Sequence, residues 1–351
     1  FDLDQIADFL KDDFSIVFDA MNAVTGPYAK RIFIEKMGLS KNCVLNGLPL
    51  KDFGDLHPDP NLTYANQLAD LLLNKKSYSF GAACDGDGDR NMILGRGCFI
   101  NPSDSLAVLT ANAKYVPGYK EGLSGVARSM PTSMAVDSVA KKINIPCYET
   151  PTGWKFFGNL LDSNMITLCG EESFGTGSNH VREKDGLWAV LFWLQILACR
   201  KCSVTDLIKS HWNDFGRNYY SRHDYESIPT DIAKQIYENL GILLPQLKNN
   251  RFANSIVIDA DNFTYQDPVD KSVSKNQGLR IVLENNSRII LRLSGTGTKG
   301  STLRVYFEKS CQNKEKLHLN PQIALNDLIK SLDDLLNISK LTKMDRPTVI
   351  T

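Results

Sequence analysis

The chain holds 351 residues, more than one ordinary core accommodates, so two or three domains are expected. Forty basic residues balance forty acidic ones, which excludes a global field that draws in nucleic acid or acidic membranes, so any anion needs a local site. With 42% hydrophobic and 23% charged residues, and no apolar run near the roughly eighteen residues of a membrane span, the composition is that of a folded soluble protein. The opening Phe1-Asp2-Leu3-Asp4-Gln5 has no initiator Met and no leader pattern, and reads as the middle of a longer protein.

Along the chain, residues 15–19 form a short apolar strand, and Pro27 to Met37 has helical spacing. Residues 79–84 read as a buried strand running into a Gly/Asp loop. Ser103 is the expected cap of a helix reaching about Tyr115, where Tyr115-Val116-Pro117-Gly118 breaks the pattern. Strands at 124–128, 146–149 and 165–169 then alternate with helices at 132–143 and 153–162, and Asp185 opens a long apolar helix to Cys199. This alternation predicts mostly parallel sheets. The last third changes character: strands near 218–226, 255–261, 279–284, 288–293 and 302–307 have hairpin spacing, with helices near 229–241 and 321–337. The expected fold is therefore α/β for two domains, 1–115 and 116–203, followed by a smaller α+β domain, 204–351, with an antiparallel-rich sheet. The eight cysteines (43, 84, 98, 147, 169, 199, 202 and 311) are scattered, several of them in apolar runs. They read as reduced core residues of a cytoplasmic protein, and the single Cys199/Cys202 pair lacks the second pair a zinc site needs.

Three loops carry chemistry. In Asp85-Gly86-Asp87-Gly88-Asp89-Arg90, alternate residues project to one side while the glycines let the backbone bend. Three carboxylates without His or Cys suit a hard cation such as Mg²⁺. An EF-hand fails, because Arg90 and Arg96 occupy its Gly and Glu positions. A phosphatase with an aspartate nucleophile stays open. The second loop, Cys169 to Gly177, offers carboxylates and hydroxyls for sugar hydroxyls, and His180, Arg182 and Lys184 follow for an anion or a proton transfer. Lys184 and Asp185 also read as a simple pair at a helix start. The third loop, Arg292-Leu293-Ser294-Gly295-Thr296-Gly297, with Lys299 nearby and Arg304 on the returning strand, can wrap phosphate oxygens. It is not a Walker A loop. A cation site, a polyol loop and a phosphate cradle together describe an enzyme of phosphosugars.

These three loops, in this order, resemble the α-D-phosphohexomutase superfamily. The stretches Asn101–Ser105, Ala127–Ser133, Glu149–Gly158 and Lys184–Leu191, and the Pro347–Thr351 terminus, resemble phosphoglucomutases of the eukaryotic, glucose-specific type. The resemblance implies family domains two, three and four for the ranges above. It further implies Asp85, Asp87 and Asp89 as Mg²⁺ ligands with Arg90 beside them. Thr152, Gly153, Glu171 and Ser173 would bind sugar hydroxyls, and Lys184 would be the site lysine. Arg292, Ser294, Gly295, Thr296, Gly297 and Arg304 would hold the distal phosphate. Lys184 and Arg90 are the catalytic candidates.

The implied reaction interconverts α-D-glucose 1-phosphate and glucose 6-phosphate through phosphoserine and glucose 1,6-bisphosphate. The family's T-A-S-H-N-P serine loop has no counterpart string in this sequence, so the expectation is that its N-terminal domain is missing and that this piece alone is inactive. Cys84 stands where the family has Phe. A small-molecule phosphosugar is the expected partner, with no nucleic acid and no membrane, for a monomer or weak dimer. A non-catalytic scaffold protein of the same family, and a mutase for another sugar phosphate, remain the alternatives.

Overall fold

The computed structural model describes residues 1–11, 13–297 and 300–351, apart from the side chains of 295–297. The chain divides into two compact units, Phe1–Phe215 and Gly216–Thr351.

The first unit contains two sheets of one design. Helix α1 (Leu3–Lys11) leads into β1 (Ile16–Asp19), α2 (Thr25–Ala29, continued as a wider turn over Lys30–Lys36), β2 (Val44–Leu45), α3 (Asn66–Ala69), β3 (Phe80–Cys84), β4 (Asn91–Gly95) and β5 (Cys98–Ile100). Strand β1 lies parallel to β2 and β3, and β4 and β5 return antiparallel, giving the order β2-β1-β3-β4-β5. Then follow α4 (Pro102–Asn112), β6 (Val126–Ser129), α5 (Ala135–Ile143), β7 (Cys147–Thr150), α6 (Trp154–Asp162), β8 (Leu168–Gly170), β9 (Thr176–Ser178), α7 (Gly186–Arg200) and α8 (Val204–Phe215). The second sheet runs β7-β6-β8-β9, again with three parallel strands and an antiparallel fourth. Every residue of β1, β3 and β6 is buried, as continuous apolar strands under helices require. Helix α7, apolar on all sides, is the central core helix, with Trp193 fully buried.

Helix α4 starts one residue before the expected cap. Pro102 takes the first helical position, where its missing N–H costs nothing, and Asn101 caps by accepting from the Ser103 N–H at 3.0 Å. Ser103 is instead buried and accepts from the Ser133 N–H. The expected domain edge after 115 falls past α4, and the one after 203 falls just before α8. Helix α4 packs on α5 and β8, and α8 puts Val204, Leu207 and Ile208 into the same core as α7.

The second unit comprises β10 (Arg217–Ile228), α9 (Thr230–Leu247), β11 (Arg251–Phe252), β12 (Ser255–Asn262), β13 (Tyr265–Gln266), β14 (Val273–Ser274), β15 (Leu279–Leu283), β16 (Arg288–Gly297), β17 (Gly300–Cys311), α10 (Pro321–Ala324), α11 (Asn326–Leu336), α12 (Ile338–Thr342) and β18 (Val349–Ile350). Seven strands form the antiparallel sheet β11-β12-β15-β16-β17-β10-β18. Ile236 and Leu240 of α9 and Leu328 and Leu332 of α11 cover its inner face, where Ile281, Leu291 and Val305 alternate with outward polar residues. The α+β character of this last part agrees with the sequence expectation. The expected helix 321–337 is broken at Leu325 into α10 and α11. Within the sheet, Arg288 and Glu308 form a fully buried ion pair at 2.5 Å, and Asn218 donates to the same carboxylate at 2.6 Å.

Candidate active site

In the first unit the polar loops lie at the carboxyl ends of parallel strands: the Asp85 loop after β3, Thr152 after β7 and the Glu171 loop after β8. Such strand ends are where open α/β sheets bind ligands. The Asp85 and Glu171 loops occupy matching places in the two sheets, each between the last parallel strand and its antiparallel neighbour.

Asp85, Asp87 and Asp89 converge: one carboxylate oxygen of each lies within 4.8 Å of the others. Asp85 is buried, Asp89 half-buried and Asp87 exposed. Gly88 makes the turn possible, with φ +82° and Thr25 Cγ2 only 2.7 Å from where a Cβ would stand. The backbone N–H and Nε of Arg90 both donate to the Asp85 carboxylate, at 3.0 and 2.7 Å, and Nη1 donates to Asp59 at 2.7 Å. Lys184 Nζ pairs with Asp89 at 2.8 Å. Arg90 is shared between Asp85 and Asp59, so two cations face four carboxylates, and the all-oxygen set of Asp85, Asp87 and Asp89 keeps a negative surplus that fits Mg²⁺.

Lys184 therefore does not pair with Asp185. Asp185 instead caps α7, accepting from the Trp188 N–H at 2.9 Å, and faces His180 at 3.5 Å. Burial works against the Lys184 charge, but Asp89 and Glu171 outweigh it and hold its pKa above the usual lysine value. Gly175 lets this happen, since a Cβ there would stand 2.5 Å from Lys184 Cδ and 3.1 Å from Glu171 Oε2.

Glu171 is buried, and burial, with Glu172 beside it, raises its pKa against the pull of Lys184. The Gly153 N–H donates to its carboxylate, and Ser173 Oγ lies 3.5 Å from Oε2. Thr152 Oγ1 is buried without a hydrogen-bond partner. The structure thus gathers Thr152, Gly153, Glu171, Ser173 and Lys184. The Asp85 and Glu171 loops are also stitched together: Arg90 bridges Gly175, and both the backbone N–H and the side-chain amide of Asn91 donate to the Phe174 carbonyl, at 2.9 and 3.0 Å. Arg182 does not join them. It is exposed and paired with Asp162 at 2.7 Å.

Asp59 and Asn91 escaped the sequence reading. Asp59 sits 31 residues before Arg90 in an irregular loop, and no local pattern marks it. Cys84, directly beneath the metal loop, is fully buried, and burial, then the charge of Asp85, pushes its thiol pKa well up, so it acts as packing.

In the second unit, Arg292 and Arg304 are direct cross-strand partners on β16 and β17. Like charges placed opposite each other repel unless something offsets them. Asp224, across from Arg304 on β10, lies 3.7 Å from Arg304 Nε, which is buried without a hydrogen bond. Arg292 Nη1 reaches the Tyr306 hydroxyl at 3.4 Å. Ser294 is half-buried at a break in strand register, between Ser294 and Gly297, that frees backbone groups. Gly295, Thr296 and Gly297 continue β16 in backbone, while the Thr296 side chain and Lys299 lie outside the described residues.

Paired α/β sheets with three convergent carboxylates, a buried Glu/Ser loop and an arginine-flanked serine–glycine strand end are the features of a phosphohexose mutase type of protein. The sequence bears this out along nearly its whole length. The model of phosphoglucomutase/phosphomannomutase alpha/beta/alpha domain II matches residues 3–97, that of domain III matches 102–215, and that of the phosphoglucomutase-1 C-terminal domain matches 217–348. The chain belongs to the phosphoglucomutase/phosphomannomutase family. It is 55% identical over 351 residues to phosphoglucomutase of Rhizobium radiobacter, covering 100% of this chain and 65% of that one. It is 52% identical over 346 residues to phosphoglucomutase-1 of Oryctolagus cuniculus, covering 96% and 61%. The crystal structure of the exocytosis-sensitive phosphoprotein parafusin, a Paramecium phosphoglucomutase in an open form, superimposes with TM-score 0.91 at 50% identity, over 100% of this chain and 62% of that one. The chain thus spans less than two thirds of the length of these relatives.

Proposed function

We propose that this chain forms the metal-binding, sugar-binding and distal-phosphate-binding parts of a phosphoglucomutase that interconverts α-D-glucose 1-phosphate and glucose 6-phosphate through glucose 1,6-bisphosphate. The observation that carries this reading is Lys184, which touches the aspartate loop and borders Glu171 while the two loops are joined backbone to backbone. Asp85, Asp87 and Asp89 would hold Mg²⁺, which when bound neutralises charge on a transferring phosphoryl group.

The chain's own groups then have distinct tasks. Arg90, clamped by Asp59 and Asp85, presents a fixed positive charge at the loop. Lys184 stays an ammonium and neutralises anionic oxygen beside Asp89. Glu171, with its raised pKa, Ser173, the Thr152 hydroxyl and the Gly153 backbone orient sugar hydroxyls. Arg292, Arg304 and the Ser294–Gly297 end of β16 grip the phosphate that is not being transferred. Positioning and charge neutralisation are what phosphoryl transfer chiefly needs. None of these loops supplies a phosphorylated serine, so in this reading the donor comes from another part of the whole protein.

The proposal also assigns residues 1–115, 116–203 and 204–351 to family domains two, three and four. It further takes the protein as a cytoplasmic monomer or weak dimer. Eight unpaired cysteines support a reducing compartment, and no single described helix is long and apolar enough to cross a membrane.

Calorimetric titration with glucose 6-phosphate, with and without Mg²⁺, tests the binding role. Saturable binding that weakens in Ser173→Ala and in Arg292→Ala is expected, and equal binding of an unphosphorylated glucose would overturn it. The 351-residue chain by itself should convert no glucose 1-phosphate. Turnover by verified chain would sink this assignment and point to an aspartate nucleophile such as Asp85.

A further inference from the structure

Helix α6 grips one residue from both of its ends. Its first residue, Trp154, donates its indole N–H to the Arg182 carbonyl at 2.9 Å, and its last, Asp162, pairs with Arg182 Nε at 2.7 Å. Both partners of the ion pair are more than half exposed, so that pair constrains little and the indole bond is the firmer hold. The Trp154 ring is itself fixed in place. Phe157, nearly one turn on, meets it at right angles with 5.1 Å between ring centres. Gly177 of β9 makes room for it, since a Cβ there would stand 2.6 Å from Trp154 Cζ2.

Arg182 needs holding. Its φ of +63° lies in the left-handed region, which a residue with a side chain avoids unless its surroundings impose it. It belongs to the segment that runs from β9 to α7, where its own N–H donates to the Ser178 carbonyl at 3.1 Å. Lys184 follows two residues later, with Nζ on Asp89 and 5.9 Å from the centre of the Trp154 ring. The direction the chain takes at Arg182 therefore sets where the Lys184 side chain begins. Packing against Phe157 accounts for an aromatic ring at 154, but it requires no N–H donor.

We propose that Trp154 is a positioning residue for Lys184: its indole N–H holds Arg182 in the left-handed conformation that returns the chain toward Asp89 and Glu171. Arg182 then serves the site through its backbone carbonyl, while its side chain stays at the surface with Asp162. One turn of chain supports both arms of the site, because Gly153, immediately before Trp154, donates its N–H to Glu171. The clamp matters to ligand binding on the reading, given above, that Lys184 meets the phosphosugar.

Trp154→Phe keeps a ring against Phe157 and removes the N–H donor. Hydrogen exchange in the unliganded 351-residue chain reads the clamp without any sugar. The Arg182 amide should exchange about fivefold faster in Trp154→Phe, as loss of one hydrogen bond implies, while the Ile281 amide in the second unit keeps its rate. An unchanged Arg182 rate would overturn the clamp whatever the ligand does. Asp162→Asn breaks only the surface pair and should leave the rate as in wild type; an increase as large as that of Trp154→Phe would take the role away from the indole. Calorimetric titration with glucose 6-phosphate then reads the consequence at the site. Trp154→Phe should weaken binding about fivefold, and adding it to Lys184→Met should weaken binding no further. The same additional loss in the Lys184→Met background would mark a general packing effect and refute the positioning role. If the Arg182 amide responds while glucose 6-phosphate binds neither wild type nor variant, the clamp stands and the phosphosugar reading falls.

Discussion

Asp87→Asn isolates the metal site better than either neighbouring substitution. Asp85 holds Arg90, and Asp89 holds Lys184, so replacing those would release a cation as well as remove a ligand. Asp87 is exposed and engages neither cation, and its replacement removes one charge and one candidate donor while leaving the fold within about 0.5 kcal/mol of wild type. A dication and a carboxylate about 4 Å apart attract by about 2 kcal/mol under bulk-water screening and about 8 kcal/mol at an effective dielectric near 20. Exposure places Asp87 toward the lower figure, which still means about a thirtyfold loss of Mg²⁺ affinity. Calorimetric titration of Mg²⁺ into the two proteins, with matched thermal unfolding curves as the folding control, reads this directly. Equal affinities would refute the three-aspartate assignment. Tighter binding of Ca²⁺ than Mg²⁺ would assign the loop a structural role instead.

Three further outcomes are expected. Arg288→Met leaves the buried Glu308 carboxylate without its cation and should cost about 3–5 kcal/mol in denaturant unfolding, whereas Arg288→Met/Glu308→Leu should recover most of that, and equal costs would contradict the buried-pair account. Arg304→Ala should weaken glucose 6-phosphate binding by about 1.5–3 kcal/mol in calorimetry, and an unchanged affinity would remove Arg304 from the phosphate site. Burial pushes the His223 pKa down to about 4, so the unfolded chain binds the extra proton first and stability falls as pH drops from about 6.5 toward 4. His223→Gln should flatten that slope in pH-dependent unfolding, and an unchanged slope would show that His223 does not contribute.

The convergence of Asp85, Asp87 and Asp89 was legible because it is local: alternating Asp and Gly need only an extended, sharply turning backbone to bring the carboxylates together. The arginines of the third loop were legible for a related reason, since hairpin spacing places Arg292 opposite Arg304. What the sequence hid was partner choice. Lys184 adjoins Asp185 in sequence, yet Asp185 is committed to the first turn of α7, which leaves Lys184 to Asp89, 95 positions earlier. Asp59 has no periodicity around it, and only folding brings it to Arg90. Helix α8 did leave a signal. Ser203 accepts from the Asp206 N–H and donates back to its carboxylate, a capping pattern readable as Ser-Val-Thr-Asp. Its apolar residues 204, 207 and 208 belong to the core of the preceding helices, so a domain edge at 203 cut a helix away from the surface it covers.

The stitch between Arg90, Asn91 and the 174–175 backbone has a mechanical consequence. Two loops that share backbone hydrogen bonds open together or not at all. The Gly186 N–H, bonded to the Gly88 carbonyl, ties the first turn of α7 to the same assembly, where even a single added methyl at Gly186 would meet Cys84 Sγ at 2.7 Å. The amides of Asn91 and Gly186 should therefore exchange with solvent at one common, slow rate set by the opening of the whole cluster. Flexibility has to reside elsewhere in the chain, and the aspartates keep their spacing for as long as this cluster stays closed.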